Sequence, residues 1–155
     1  MVGEPEYTFL VPEDPEFLQA VARVTICHAH LDYALRMCIR SLAGVTIEEA
    51  RDATVYDGAR MLRDRVRRLA RMRLGDGQPL VKLQALLKRA GDLSEQRNSL
   101  THHIIVRKQI GNISSAFPAE RLLPDHSWEA LPSAVEVNKL AEALTALVKE
   151  LNHAR

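Results

Sequence analysis

Four polar side chains interrupt a helical apolar stripe in the segment SEQRNSLTHH, residues 94–103: Arg97, Asn98, His102 and His103. An imidazole that titrates near neutral pH takes a proton from a hydroxyl or returns one to a departing oxygen. A guanidinium, always charged and fork-shaped, holds a phosphate and offsets charge that develops in a transition state. Asn98 and His102 stand four apart, so they lie one above the other on a helix face, with Arg97 in the neighbouring sector. This set suits cleavage of RNA without a metal. The histidine would serve the ribose 2′-hydroxyl or the leaving 5′-oxygen, Arg97 would clamp the phosphate, and Asn98 would orient either one.

Arg97 is also out of place. Stepping by three and four from Leu86 gives Ala90, Leu93, Arg97, Leu100 and Ile104, one stripe of an amphipathic helix. A buried, unpaired guanidinium loses several kcal/mol or more on desolvation, so the position calls for a partner charge or a functional cleft. Glu95, Glu49 and helix-end carbonyls are the partners that a purely structural arginine would use. In the same structural reading, His102 and His103 merely place cations at a helix C-terminus.

Helices are expected to carry this set. Asp14 and Pro15 open a long first helix, in which Phe17, Val21, Val24, His28, Leu31, Leu35, Cys38 and Leu42 repeat by fours and threes until Gly44. Thr46 and Glu49 form a capping box before a short second helix. A third, ARMLRDRVRRLARMRL, turns Leu62, Val66 and Leu69 inward and stops at the glycines of GDG. The fourth starts near Pro79 and carries the polar set, with Gly91 expected to weaken or kink it and Asp92 and Glu95 able to recap it. β-Branched residues around Gly111-Asn112 read as a short hairpin, and residues 118–132, with three prolines, as an irregular excursion. Ser133 and Glu136 cap a closing helix that presents Val137, Leu140, Leu144, Leu147 and Leu151. The expected fold is therefore all-α: one domain over residues 1–155, an antiparallel bundle of four to five helices. An extended segment over 1–13 precedes it, and a hairpin or irregular excursion over 107–132 precedes the last helix.

The third helix is the second feature with chemical potential. Arg60, Arg63, Arg67 and Arg71 recur on one face, flanked by Arg65, Arg68 and Arg73, with Asp64 as the sole acid within. The whole chain has 21 Lys and Arg against 20 Asp and Glu, so any affinity for nucleic acid must come from such a local patch. Seven arginines without a lysine make a phosphate track, or simply a solvated face. Phe117 and Trp128 can stack on bases, although packing over the end of the bundle is the expected role.

No metal site is expected: His28, His30 and Asp32 diverge around their helix, no Cys or His cluster has zinc spacing, and His28 reads as a satisfied core or interface histidine. Cys27 and Cys38 stand roughly 16 Å apart along one helix, too far for a disulfide. Two reduced thiols and a start without a basic, apolar leader fit a cytoplasmic protein. No apolar run approaches the ~18 residues of a membrane span.

Arg97-Asn98-Ser-Leu-Thr-His102 resembles the arginine, polar residue, spacer, histidine signature of HEPN domains, a family of small helical-bundle ribonucleases and nucleotide binders. The long first helix, the basic middle helix, the excursion after the histidine and the leucine-rich last helix are similar as well. Many relatives carry glycine where this chain has His103, a departure from the pattern, and both histidines fall within the family's spacing, so His103 is the alternative to His102 as the working histidine. The resemblance implies a metal-independent endoribonuclease of a prokaryotic toxin or defence system, without cofactor, with Arg97, Asn98 and His102 at its centre. It also implies a two-fold homodimer with a composite cleft, which would supply both an acid and a base. Its partners would be RNA and, as neutralising protein, a nucleotidyltransferase-type antitoxin. The other role open to such a domain is a non-catalytic nucleotide-binding or dimerising adaptor.

Overall fold

A computed structural model describes residues 6–109, 119–123 and 125–154. Among these, five helices and four strands follow in the order β1 (Glu6–Phe9), α1 (Pro15–Ala43), α2 (Ile47–Asp52), α3 (Ala59–Leu74), α4 (Gln78–His102), β2 (Ile105–Gln109), β3 (Ala119–Leu122), β4 (Trp128–Ala130) and α5 (Ala134–His153). The chain is mostly helical, with a small antiparallel strand set before the last helix.

Local signals set the helix ends. The Asp14 carboxylate accepts from the Glu16 backbone N–H at 3.0 Å, and Gly44 closes α1 in the left-handed conformation at φ 71°, which glycine adopts without the Cβ penalty. Thr46 with Glu49 and Ser133 with Glu136 form both expected capping boxes. The core is where the apolar stripes meet. Leu31 and Leu35 of α1, Leu62 and Val66 of α3, Leu87 of α4 and Leu144, Leu147 and Leu151 of α5 are all essentially without exposed surface. Each such side chain contributes about 1.5–3 kcal/mol by leaving water. On α3 the buried row is Leu62, Val66 and Ala70, and Leu69 is only partly covered.

Helix α4 runs through Gly91 without a break or a recap. A Cβ at Gly91 would meet Arg63 Nε at 3.6 Å: the bare backbone lies beneath the Arg63 side chain, and neighbouring packing holds the helix together across a residue of low helical propensity.

One expectation for the non-helical part, the irregular course of 118–132, needs correction. The stretch 118–132 contains β3 and β4, and the segment 1–13 contributes β1, giving one sheet in the order β1-β2-β3-β4 with every pair antiparallel. The pairing places Phe9 opposite Val106, Ile105 opposite Arg121 and Leu122 opposite Trp128. The strands are three to five residues long, too short for alternation to stand out in sequence. The Gly111-Asn112 turn, the strand expected after it and Phe117 lie outside the described residues, and the described partners of β2 are β1 and β3. Trp128 stacks on Tyr7, with ring centroids 4.9 Å apart, a contact between residues of the two edge strands. No described helix is long and apolar enough to cross a membrane, and Cys27 and Cys38 are not joined in a disulfide.

Candidate functional site

The last turn of α4 brings the sequence-predicted residues together. Arg97 Nη1 donates to Asn98 Oδ1 at 3.0 Å and lies 3.4 Å from His102 Nε2. A guanidinium only donates, so this contact uses the Nε2 lone pair of His102. His103 turns elsewhere: its Nδ1 lies 3.4 Å from Ser99 Oγ, which also accepts from Arg121 Nη1 of β3 at 3.0 Å. The two histidines thus belong to different surroundings, His102 to Arg97 and Asn98, His103 to the junction with the sheet.

Behind Arg97 lies a cleft of about 530 Å³, formed by α1, the start of α3 and α4. Helix α1 contributes His28 and Asp32, α3 contributes Arg60 and Arg63, and α4 contributes Ser94, Arg97 and Asn98. Neither structural partner expected for Arg97 binds it. Glu49 accepts from the Thr46 backbone at 2.8 Å in its capping box, and Glu95 is exposed at the cleft. The acid that Arg97 faces electrostatically is Asp32. Arg97 Nε and Asp32 Oδ1 are both hidden from solvent, and neither has a hydrogen-bond partner.

Beneath this pair runs a polar chain from α1 through α4 to α3. His28 Nε2 lies 3.1 Å from Ser94 Oγ, Arg63 Nη1 donates to the same oxygen at 3.3 Å, and Ser94 Oγ lies 2.7 Å from the Ala90 carbonyl. A hydroxyl has one proton. Ser94 gives it to the carbonyl, which accepts only, so His28 Nε2 must carry the proton that joins it to Ser94. Burial dominates the titration of both α1 groups. It pulls His28 below its ordinary value against the attraction of Asp32, while Arg97 and Arg63 push the same way as burial. It pushes the Asp32 carboxyl up against His28, Arg36, Arg97 and Arg63. Burial likewise lowers Arg63.

Asp32, His28 and Ser94 superficially follow the order of a hydrolase triad, but the protons run the wrong way. Asp32 Oδ2 is 3.9 Å from His28 Nδ1, beyond hydrogen-bond range. His28 donates to the serine instead of accepting from it, and Ser94 is buried. No nucleophile is activated here.

The arginine face of α3 divides. Arg60 and Arg71 are exposed and Arg67 is partly so, with Arg67 bound to Asp64 at 2.6 Å. Arg63 leaves the outer face for the cleft and Ser94. Arg65 binds the buried Asp57. Arg36 adds hydrogen bonds to Thr54 Oγ1 at 3.2 Å and to the Asp57 carbonyl at 3.3 Å, which fixes the loop leading into α3. Among the described residues no three His, Cys, Asp or Glu side chains converge as a metal-binding group.

Sequence reasoning did not single out Asp32 or Ser94 as parts of this site. The available signal was Asp32 one turn after His28 on the inward face of α1, and Ser94 one turn before Arg97, three polar residues in seams that otherwise read as apolar. Comparison with known proteins gives no matching family model, no matching curated protein and no matching solved structure.

Proposed function

We propose that this chain is a HEPN-like antiparallel helical bundle acting as a metal-independent endoribonuclease, a cytoplasmic toxin or defence effector of a prokaryote held in check by a nucleotidyltransferase-type antitoxin. The supporting observation is the Arg97 guanidinium spanning Asn98 Oδ1 and His102 Nε2 at the edge of a cleft that also takes in Arg60 and Arg63. Arg97 would hold the scissile phosphate, His102 would transfer a proton and Asn98 would fix the guanidinium. The functional protein would be a two-fold dimer in which each protomer brings its motif to a shared cleft. Exposed Met61 at the cleft, with Tyr33, Val55 and Tyr56 on the flanking segments, offers apolar surface for that pairing.

The test is RNA cleavage in EDTA. His102→Ala removes a proton carrier worth about 10²–10⁴-fold in rate, and Arg97→Ala removes a preorganised charge worth about 10²–10³-fold. His103→Ala should cost far less, because His103 faces Ser99. Melting temperature and sedimentation are read beside activity, since Arg97 also meets buried groups. RNA binding without cleavage by the wild type would instead identify the nucleotide-binding or dimerising adaptor.

A further inference from the structure

We propose that Asp32 is the general base of the cleavage, taking the proton of the ribose 2′-hydroxyl in the cleft where Arg97 holds the phosphate. This rests on the ribonuclease reading above and places the base within one protomer, where the paired cleft would otherwise need the second protomer's imidazole: one imidazole supplies an acid or a base in a given step, not both.

What singles out Asp32 is that three arginines surround it and none binds it. Arg36 gives Nε and Nη2 to Thr54 and the Asp57 carbonyl, Arg63 gives Nη1 to Ser94, and Arg97 gives Nη1 to Asn98 and His102, while its buried Nε binds no acceptor. His28 Nε2–H is committed to Ser94, which leaves Nδ1 without a proton to offer across the 3.9 Å to Asp32 Oδ2. A structural carboxylate in such company accepts hydrogen bonds, as Asp57 does from Arg65. Asp32 keeps its lone pairs free, and an unsatisfied buried group of this kind calls for a functional explanation. Its side chain is 26% exposed and lines the cleft, so a substrate hydroxyl can reach it. Burial holds its carboxyl above the usual range, which strengthens it as a base.

The step balances. Asp32 accepts the 2′-hydroxyl proton as the 2′-oxygen forms a bond to phosphorus. The bond from phosphorus to the 5′-oxygen breaks, and His102, protonated once the phosphate draws Arg97 away from its Nε2, delivers a proton to that oxygen. The products are a 2′,3′-cyclic phosphate and a free 5′-hydroxyl. Exchange with water then returns both side chains to their starting states.

The experiment compares a dinucleotide with a 3′-aryl phosphate of the same nucleoside, whose phenolate leaves without protonation. His102→Ala should lose about 10²–10⁴-fold on the dinucleotide and recover most of that on the aryl ester. Asp32→Asn, close to isosteric, should lose as much on both substrates. In the wild type the acid limb of the kcat/KM profile should follow the ionisation of Asp32, as set by His28 and Arg36 on its own helix, Arg63 on α3 and Arg97 on α4. Asp32→Asn should abolish that limb. An Asp32→Asn protein that recovers on the aryl ester, or keeps the limb at a uniformly lower rate, overturns the assignment and leaves Asp32 a positioning residue. Failure of the wild type to cut either substrate removes the ribonuclease reading itself, and the base with it.

Discussion

Ser94→Ala tests the polar chain beneath the cleft. The hydroxyl is the acceptor for His28 Nε2–H at 3.1 Å, and both residues are buried. Its removal leaves a buried donor without a partner, at a cost of about 1–3 kcal/mol. Arg63 gives up a 3.3 Å hydrogen bond, but this guanidinium is partly exposed and regains water. Alanine favours a helix interior over serine by about 0.5 kcal/mol, which offsets part of the loss. The net effect is a destabilisation of about 1–2 kcal/mol, or about 2–8 °C in Tm for a chain of this length. The readout is chemical and thermal denaturation in two backgrounds, wild type and His28→Phe. In the second the orphaned donor no longer exists, so Ser94→Ala should be neutral or slightly stabilising, and the double-mutant cycle should show coupling of about 1 kcal/mol or more. Equal effects in both backgrounds would show that His28 does not donate to Ser94.

The remaining predictions concern pH, helix α4 and salt. His28 binds its proton less readily in the folded state than its ordinary pKa of about 6.5 implies. The unfolded chain therefore takes up more protons as pH falls from about 7, and stability drops until folded His28 also protonates. Asp32 has the opposite sign: with its pKa raised in the fold, acid relieves its burial below that range. His28→Phe should flatten the decline just below pH 7 in denaturation curves, and an unchanged slope would place its cause elsewhere. Gly91→Ala should raise stability by up to about 1 kcal/mol, because its Cβ meets Arg63 at ordinary van der Waals distance; a lower Tm would show that Arg63 requires bare backbone. Replacing exposed Arg60 and Arg71 by Glu should flatten the salt dependence of RNA binding by roughly 0.7 in slope for each phosphate that is no longer neutralised. If the slope does not move, that face is merely solvated.

The helices were legible because their signals are local: Asp14, Thr46 with Glu49 and Ser133 with Glu136 cap as their residue types require, and the leucine rows of α1 and α5 repeat at helical spacing. The sheet was less legible. Its pairings join strands distant in sequence, residues 6–9 with 106–109, and no local rule announces a partner a hundred residues away. Gly91 misled for a related reason. Propensity marks it as a weak point, whereas its neighbour Arg63 arrives from another helix. Arg63 itself shows the limit of reading one helix face at a time: spacing alone groups it with Arg60, Arg67 and Arg71, and only the packing of α3 against α4 turns it into the cleft. Arg97 was the clearest sequence signal, a charge in an apolar stripe, yet its facing acid came from α1, not from Glu95 or Glu49. Side chains that meet from three helices carry no joint signature in sequence.

The most direct test of RNA cleavage through the 2′-oxygen at the Arg97-Asn98-His102 site is end-group analysis of the products by mass spectrometry. The substrate is an oligoribonucleotide incubated with wild-type protein in EDTA, beside a copy with a single 2′-deoxy residue on the 5′ side of the cut. The expected result is a 2′,3′-cyclic phosphate on one fragment and a 5′-hydroxyl on the other, with the deoxy copy left intact at that position and no products from His102→Ala. Cleavage of the deoxy copy at the same bond, products bearing a 5′-phosphate, or unchanged products from His102→Ala would contradict it.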